Sequence, residues 1–156
     1  MIVVGVDGSA GADAALDHAL RAGLERGCPV EVVTGWLWVG SSDAQSPSDL
    51  SDGRAAVQRL QDGVLERAAA RLGAMPEVVH TVVHDYAGRV LVARAEHASA
   101  LVVGAGSLGS TSTKMLGSVS EYCVRHSPVP VIVVPEPERV RRRRAVADVV
   151  TLAHTS

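Results

Sequence analysis

A chain of 156 residues has the length of one ordinary domain, and its 47% of apolar residues can bury a sizeable core. Aromatic residues make up only 3% and Phe is absent, so Val, Leu, Ile and Ala must build that core, as in a parallel sheet covered by helices. The formal charge is −2, and residues 1–135 alone, with ten basic and fourteen acidic residues, carry −4, which gives this part no general reason to bind nucleic acid. No apolar run approaches the length of a membrane span.

The amino terminus, MIVVGVDGS, enters an apolar run without a basic leader or a cleavage site, which predicts a cytoplasmic protein. The two cysteines, Cys28 and Cys123, lie far apart and form no C-x-x-C motif. We therefore expect two reduced and mostly buried thiols rather than a disulfide.

Five short apolar runs bounded by turn residues predict buried strands. They cover residues 2–7, 30–36, 77–83, 100–104 and 130–134. Helical periodicity fills the intervals, at residues 12–27, 52–73, 87–98 and 114–127. Strands that alternate with helices indicate right-handed crossovers and one α/β domain, with helices on both faces of a parallel sheet.

The first two predicted helices each have a continuous apolar stripe that should face the sheet. The first stripe consists of Ala15, Leu16, Ala19, Leu20 and Leu24, before a stop at Gly27. The second consists of Val57, Leu60, Val64, Leu65, Ala68 and Leu72. Between the second strand and the second helix, the Ser-rich segment 38–53, interrupted by Pro47, is predicted as a long surface loop.

A glycine-rich segment follows the fourth predicted strand, where Gly104, Gly106 and Gly109 spell the G-x-G-x-x-G of dinucleotide-binding folds. In those folds the third glycine opens a helix within the first βαβ unit, and an acidic residue ends the next strand. Here the residues STSTK follow Gly109 and only one strand remains downstream. The sequence therefore disfavours a dinucleotide site.

A second spacing in the same segment indicates a different family. The pattern Gly-x2-Gly-x9-Gly-[Ser/Thr] is typical of the ATP-binding branch of the universal stress protein family, and this chain has Gly104-x2-Ser107-x9-Gly117-Ser118. The opening VVGVDGSAGADAAL and the closing LVVGAGSLGSTSTKMLGSVSEYCVRHSPVPVIVVP resemble that family over residues 1 to about 135. We expect a three-layer domain with a five-stranded parallel sheet in the order 3-2-1-4-5, Rossmann-like and similar to the adenine nucleotide alpha hydrolases.

The resemblance implies a site for ATP, or another adenine nucleotide, with Mg²⁺ carried by the phosphates. The acidic residue after the first strand, Asp7, would contact the adenine base, and Gly35 near the end of the second strand would meet it through its backbone. The remaining positions would surround the ribose and the phosphates: Val103, Gly104, Ser107, Gly117, Ser118 and Val119.

The chemistry of a phosphate loop explains why glycines are favoured there. Such a loop turns successive backbone N–H groups inward, which requires positive φ angles and leaves little space for Cβ atoms. Ser107 adds a Cβ and a hydroxyl, so it would either clash with the phosphates or donate to them while Gly106 and Gly109 absorb the backbone change. Lys114, the only lysine, and the STST residues before it would lie near the terminal phosphate.

The apolar last strand has a further implication, because an exposed sheet edge can pair with another chain. The family resemblance implies a homodimer in which two such edges pair antiparallel, through Val131, Ile132, Val133 and Val134. The separate tail, residues 136–156, is basic, and its arginines are more typical of a solvated tail than of a nucleic-acid site, since aromatic residues are absent there.

Three classes of function remain open at this stage. The first is a nucleotide-binding, non-catalytic stress or regulatory protein with at most slow ATP hydrolysis. The second is a dimeric interaction module of the same fold that binds no nucleotide because of Ser107. The third, a nucleotide-dependent enzyme, is disfavoured because the sequence has no recognisable catalytic set.

Some of these residues also have plainer interpretations. Asp7 could simply cap the first turn after the first strand, without contacting a ligand. His80 and His84 fall on one face of the third strand, but a pair without a third ligand is more typical of solvated side chains than of a metal site. The residues Asp85 and Tyr86 replace the Gly-x-Pro that the family commonly has after its third strand, which leaves that side of the site open.

Overall fold

A computed structural model describes residues 1–37, 47–106 and 116–136 of the chain. Its strands and helices alternate as the sequence predicts, and a short 3₁₀ turn follows the third helix. The elements are β1 (Ile2–Gly5), α1 (Ala10–Arg26), β2 (Val30–Trp36), α2 (Pro47–Leu72), β3 (Val78–His84), α3 (Ala87–Arg94), β4 (Ala100–Gly104), α4 (Ser118–His126) and β5 (Val131–Val134).

All five strands pair in parallel, in the order β3-β2-β1-β4-β5, which confirms the predicted topology. The central strand β1 pairs with β2 on one side and with β4 on the other, so that Ile2 lies between Val30 and Ala100. The chain crosses to the opposite side of β1 between β3 and β4, which creates a topological switch point between β1 and β4.

Two apolar clusters cover the two faces of the sheet. On one face α1 and α2 pack against Val4, Val32 and Val102. On the other face Leu91 of α3 and Cys123 of α4 pack against a second set of strand residues, which includes Val3, Val33, Leu101 and Val103. Because β1 and β4 are buried on both sides, their sequences are continuous apolar runs rather than alternating ones.

The helix α1 has clear signals at both ends. The side chain of Ser9 caps the start by accepting a hydrogen bond from the Ala12 amide, and Gly27 ends the helix in the left-handed conformation at φ +59°. The predicted stripe is wrong at Leu24, which is 39% exposed. Gly23 faces the sheet in that turn instead, where a Cβ would lie 2.6 Å from Cγ2 of Val30.

The helix α2 begins earlier than predicted, at Pro47, so the predicted loop 38–53 ends before that residue, and residues 38–46 lie outside the described part. Proline suits the first turn of a helix, where its missing N–H would have no partner. The predicted stripe is also wrong at Leu60, which is 39% exposed, whereas the neighbouring Gln61 is fully buried. An amide group therefore occupies a position that the apolar periodicity gave to a leucine.

Strand β2 contains a buried carboxylate that the sequence did not single out. Glu31 is 0% exposed and accepts hydrogen bonds from the Thr81 hydroxyl at 2.7 Å and from Nε of Arg94 at 2.6 Å. The guanidinium of Arg94, at the end of α3, is half-exposed and lies on the solvent side of its ion pair with Glu31. A buried carboxylate requires such partners, because an unpaired charge in the core is costly.

The two cysteines are free, as predicted, with Cys123 buried and Cys28 half-buried. Burial raises the pKa of the Cys123 thiol to about 11. Among the described residues, no helix combines the length and the apolarity that a membrane crossing needs.

Candidate functional site

A cleft of about 240 Å³ opens at the carboxyl edge of the sheet, at the switch point between β1 and β4. The helices that follow these two strands pack on opposite faces of the sheet, and this divergence creates the crevice in which parallel α/β sheets bind ligands. The structure brings seven of the eight predicted site residues to this cleft: Asp7, Gly35, Val103, Gly104, Gly117, Ser118 and Val119. The eighth, Ser107, lies outside the described residues, as does Lys114.

The end of β4 approaches the start of α1 so closely that only glycine fits. A Cβ built on Gly104 would lie 2.6 Å from the carbonyl carbon of Gly11, 2.7 Å from its oxygen and 3.0 Å from the Ala12 nitrogen. All three are backbone atoms, which cannot turn aside as a flexible side chain can. Gly104 therefore forms one wall of the cleft because it brings two backbones into contact.

The end of β2 makes an equivalent approach to the start of α3. A Cβ on Gly35 would lie 2.5 Å from Cα of Ala87, which is again a backbone contact. Gly5, the last residue of β1, faces Leu91 of α3 instead, where a Cβ would lie 2.9 Å from a side-chain methyl. Glycines at the ends of β1, β2 and β4 thus let the helices close around the cleft.

Between β4 and α4 two backbone segments, at Gly106 and at Gly117, lie in direct contact. Gly106 has φ +90°, and a Cβ on it would lie 2.6 Å from Cα of Gly117. The Gly117 amide donates to the carbonyl of Ala105 at 3.0 Å, and the Ala105 amide donates to the carbonyl of Val134 in β5 at 2.9 Å. The two ends of the predicted phosphate segment are therefore held together at the rim of the cleft.

The amino end of α4 points its first turn at the cleft. Gly117 is the N-cap and has no side chain to accept from the first amides, while Ser118, Val119 and Ser120 all line the cleft. The Ser120 hydroxyl donates to the carbonyl of Gly104 and so fixes this turn to the end of β4. Uncapped amides and the positive end of the helix dipole favour an anion at this position.

Asp7 lies on the opposite rim, in the turn between β1 and α1. Its Oδ1 accepts a hydrogen bond from the Ser9 amide at 2.9 Å, and the next residue, Gly8, has φ +80°. The N-cap of α1 is Ser9, and Asp7 caps the turn that precedes it, so this hydrogen bond agrees with the plainer interpretation of Asp7 as a turn cap. The carboxylate of Asp7 is exposed at the cleft, with one oxygen bonded to its own turn.

The residues that replace the family's Gly-x-Pro have partners outside the cleft. Asp85 accepts from the Arg89 guanidinium and from the Tyr86 amide, and these contacts lower the pKa of its carboxyl group. The Tyr86 ring packs edge-on against Tyr122, at 5.6 Å between ring centroids. Only the next residue, Ala87, contributes to the cleft wall.

The two histidines of β3 have different neighbours. His80 is partly exposed, with its Nδ1 3.8 Å from a carboxylate oxygen of Asp62 in α2. The ring of His84 packs on Trp36, with 4.6 Å between centroids. These two side chains do not meet at a common point with a third ligand among the described residues.

The cleft also contains residues that the sequence reasoning did not assign to it: Gly5, Val6, Ser9, Ala12, Val33, Ala87, Leu91, Leu116 and Ser120. Two of them carried a usable signal. Ser9 follows the Asp-Gly turn at the position of a helix cap, and Ser120 stands three residues after Gly117, in the first turn of a helix that must start near the site. Ala87 and Leu91 enter the cleft only because α3 packs against the glycines of β1 and β2, which no local pattern reveals.

A model of the universal stress protein family matches residues 1–135 of the chain. Universal stress protein Rv2623 of Mycobacterium tuberculosis is 32% identical to it over 137 residues, which cover 86% of this chain and 45% of that protein. The chain thus spans about half the length of the curated relatives it matches.

Two solved structures show the same fold. A universal stress protein in complex with cAMP superimposes with a TM-score of 0.66 and 24% identity, covering 86% of this chain and 95% of that one. The universal stress protein from Archaeoglobus fulgidus in complex with dAMP has a TM-score of 0.55 and 24% identity, covering 85% of this chain and 95% of that one.

Proposed function

This chain belongs to the universal stress protein family, and from that premise we propose that its cleft binds an adenine nucleotide, ATP with Mg²⁺ in particular. Two proteins of the same fold were crystallised with cAMP and with dAMP. These ligands share the adenine base and differ in the sugar and in the state of the phosphate. The shared part supports an adenine site, and the choice of ATP rests on the glycine spacing of the chain.

The observation that carries the proposal is that one cleft is lined both by the carboxylate of Asp7 and by the first turn of α4, which has no side-chain cap from Gly117. On one rim Asp7 offers a carboxylate oxygen that can accept from the amino group of a base, and the backbone of Gly35 lies beside it. On the other rim the first amides of α4 face the cleft without a side-chain cap. This polarity suits a ligand with a hydrogen-bond donor at one end and an anion at the other.

The residues between the two rims suit the sugar and the phosphates. Val103 and Gly104 would lie against the ribose, and Gly117, Ser118 and Val119 would surround the phosphates together with Ser107. Among the described residues that line the cleft, Asp7 is the only carboxylate. This donor set fits an Mg²⁺ ion that keeps its waters and is held mainly by phosphate oxygens rather than by a protein cage.

We further propose a cytoplasmic, non-catalytic regulatory role for the domain of residues 1–135, with residues 136–156 as a separate tail. Nucleotide occupancy would then change the shape or the partners of a homodimer. The edge strand β5 supports the dimer, because within the described part of the chain it pairs with β4 alone, and its four residues, Val131–Val134, are all half-buried. A second β5 edge could complete its hydrogen bonds.

The test is thermal unfolding of nucleotide-free protein with and without millimolar Mg-ATP, AMP and NAD. A ligand at a hundred times its dissociation constant adds about 2.7 kcal/mol to the free energy of unfolding, which corresponds to about 5–10 °C for a chain of this size. We expect ATP and AMP to raise the melting temperature. NAD, which contains an AMP moiety, should raise it no more than AMP does, and the ATP should be intact after the measurement.

Two variants make the test specific to the cleft. Asp7→Asn should reduce the ligand-dependent rise, whereas Asp62→Asn, at an exposed position of α2 that does not line the cleft, should leave it unchanged. A wild-type protein that no nucleotide stabilises would favour the interaction module with a degenerate pocket. A Ser107→Gly variant that gains binding under the same conditions would then locate the defect at that residue.

A further inference from the structure

The helix α2 carries a buried polar side chain that the apolar pattern does not explain. Gln61 is 0% exposed, although its neighbours on the inner face of α2 are apolar. Its Nε2 lies 2.9 Å from the carbonyl oxygen of Val32, 3.1 Å from that of Thr81 and 3.2 Å from the Thr34 hydroxyl oxygen. Because a buried amide needs acceptors, this position is committed to holding α2 against β2 and β3.

The hydrogen bonds continue from α2 through β2 to the end of β1. The Thr34 hydroxyl accepts from Gln61 and donates to the carbonyl of Val6 at 2.8 Å. The amide of Val6 donates to the carbonyl of Val33 at 3.0 Å. Val6 follows the last residue of β1, so the Thr34 hydroxyl gives its carbonyl a partner just beyond the strand.

The same helix also contacts the residue on the other side of Asp7. Leu60 lies so close to the β1–α1 turn that a Cβ on Gly8 would be 3.2 Å from its Cδ1. Gly8 adopts φ +80°, a conformation that side chains disfavour. Adjacent residues of α2 therefore fix Val6 and Gly8, the two residues that flank Asp7.

We propose that Gln61 and Thr34 are positioning residues for Asp7, and that α2 sets where the Asp7 carboxylate stands at the base end of the cleft. This inference rests on the proposed function for its effect on nucleotide affinity, but its geometric part concerns the nucleotide-free protein. Neither side chain lines the cleft. Their effect on a ligand is therefore indirect, and the hydrogen bond from Thr34 to Val6 leads it to the backbone of residues 6–8 and to Asp7.

The amide proton of Ser9 is a direct reporter of this geometry, because it donates to Oδ1 of Asp7. The experiment measures its NMR chemical shift and hydrogen exchange in nucleotide-free protein, and the affinity for AMP by calorimetry. Thr34→Val removes the hydroxyl but keeps the shape. Thr34→Ser keeps the hydroxyl and serves as the rescue variant.

A matched control exists on the neighbouring strand. Thr81→Val makes the same chemical change, but the Thr81 hydroxyl donates to Glu31 on the opposite face of the sheet. This control separates a local effect on Asp7 from a general loss of stability. Gln61→Leu removes the hydrogen bond at the other end of the chain but leaves the one from Thr34 to Val6, so it should change the Ser9 amide in the same direction as Thr34→Val and by less.

We expect Thr34→Val to shift the Ser9 amide resonance, to speed its exchange about tenfold and to weaken AMP binding about fivefold, with Thr34→Ser near wild type and Thr81→Val without effect at Ser9. An unchanged Ser9 amide in folded Thr34→Val, or an equal change in Thr81→Val, would overturn the inference. If the wild type binds no AMP, the proposed function fails, and the Ser9 comparison still decides whether α2 positions Asp7.

Discussion

Replacing Gly104 by alanine should damage both the fold and the cleft. The added Cβ would lie 2.6 to 3.0 Å from three backbone atoms of Gly11 and Ala12, where carbon contacts need about 3.5 Å or more. The start of α1 must therefore move away from the end of β4 by close to 1 Å. That movement would also disturb the wall on which the ribose is proposed to lie.

The size of the expected loss of stability depends on the atoms that the new Cβ would clash with, which are backbone atoms. Overpacking a well-filled site costs about 1–3 kcal/mol, and the upper part of this range applies because no side chain can rotate out of the way. A loss of about 2–3 kcal/mol lowers the melting temperature of a chain of this size by about 4–12 °C. The ligand-dependent rise with Mg-ATP should shrink in the same variant.

The other side of the same contact supplies the control. Of the residues that the structure describes, a Cβ on Gly11 would meet Cα of Gly104 alone, at 4.0 Å, and Gly11 lies in the first turn of α1. Gly11→Ala should therefore be neutral or stabilising by about 0.5 kcal/mol. Scanning calorimetry of both variants tests the reasoning. A Gly104→Ala protein that melts with the wild type, or a Gly11→Ala protein that melts as low as Gly104→Ala, would refute it.

Two further predictions concern buried groups. Cys123 should resist iodoacetamide at pH 8 until urea unfolds the protein, because burial raises the pKa of its thiol to about 11. Since the unfolded thiol ionises near pH 9, the free energy of unfolding should fall as the pH rises from about 9 to about 11, and Cys123→Ala should lessen that fall. Arg94→Ala should cost about 1–3 kcal/mol in urea unfolding, because it takes a hydrogen-bond donor from the buried Glu31 carboxylate. The matched change Arg89→Ala, which breaks an exposed pair between α3 and Asp85 in the turn before it, should leave the urea midpoint nearly unchanged.

The sequence predicts the sheet well because the physical constraint on it is local and repeated. Strands that are buried on both faces are largely apolar, so β1 and β4 appear as unbroken apolar runs, and β2 as an apolar run that Glu31 and Thr34 interrupt. The candidate site follows from the same reasoning. Once the strands are parallel, their carboxyl ends meet at one edge, and the residues that follow them, such as Asp7 and Gly104, must lie near one another.

Single positions inside the helices could not be predicted, because apolar periodicity identifies a face and not the partner that each residue meets. Leu60 and Gln61 are adjacent, and periodicity favours the leucine for the core. The structure buries the glutamine, because three acceptors on β2 and β3 lie within its reach. Glu31 is a similar case, since Arg94, its partner, is 63 residues away in the chain.

The two kinds of constraint at the cleft should have different experimental signatures. Glycine contacts such as that of Gly104 bring backbones together, so breaking them must change stability and affinity in parallel. The hydrogen bonds through Thr34 act on one turn, next to a helix that other apolar contacts also hold. For each kcal/mol of lost stability, Thr34→Val should therefore lose more nucleotide affinity than Gly104→Ala. The reason is that the lost interaction in Thr34→Val lies directly beside Asp7.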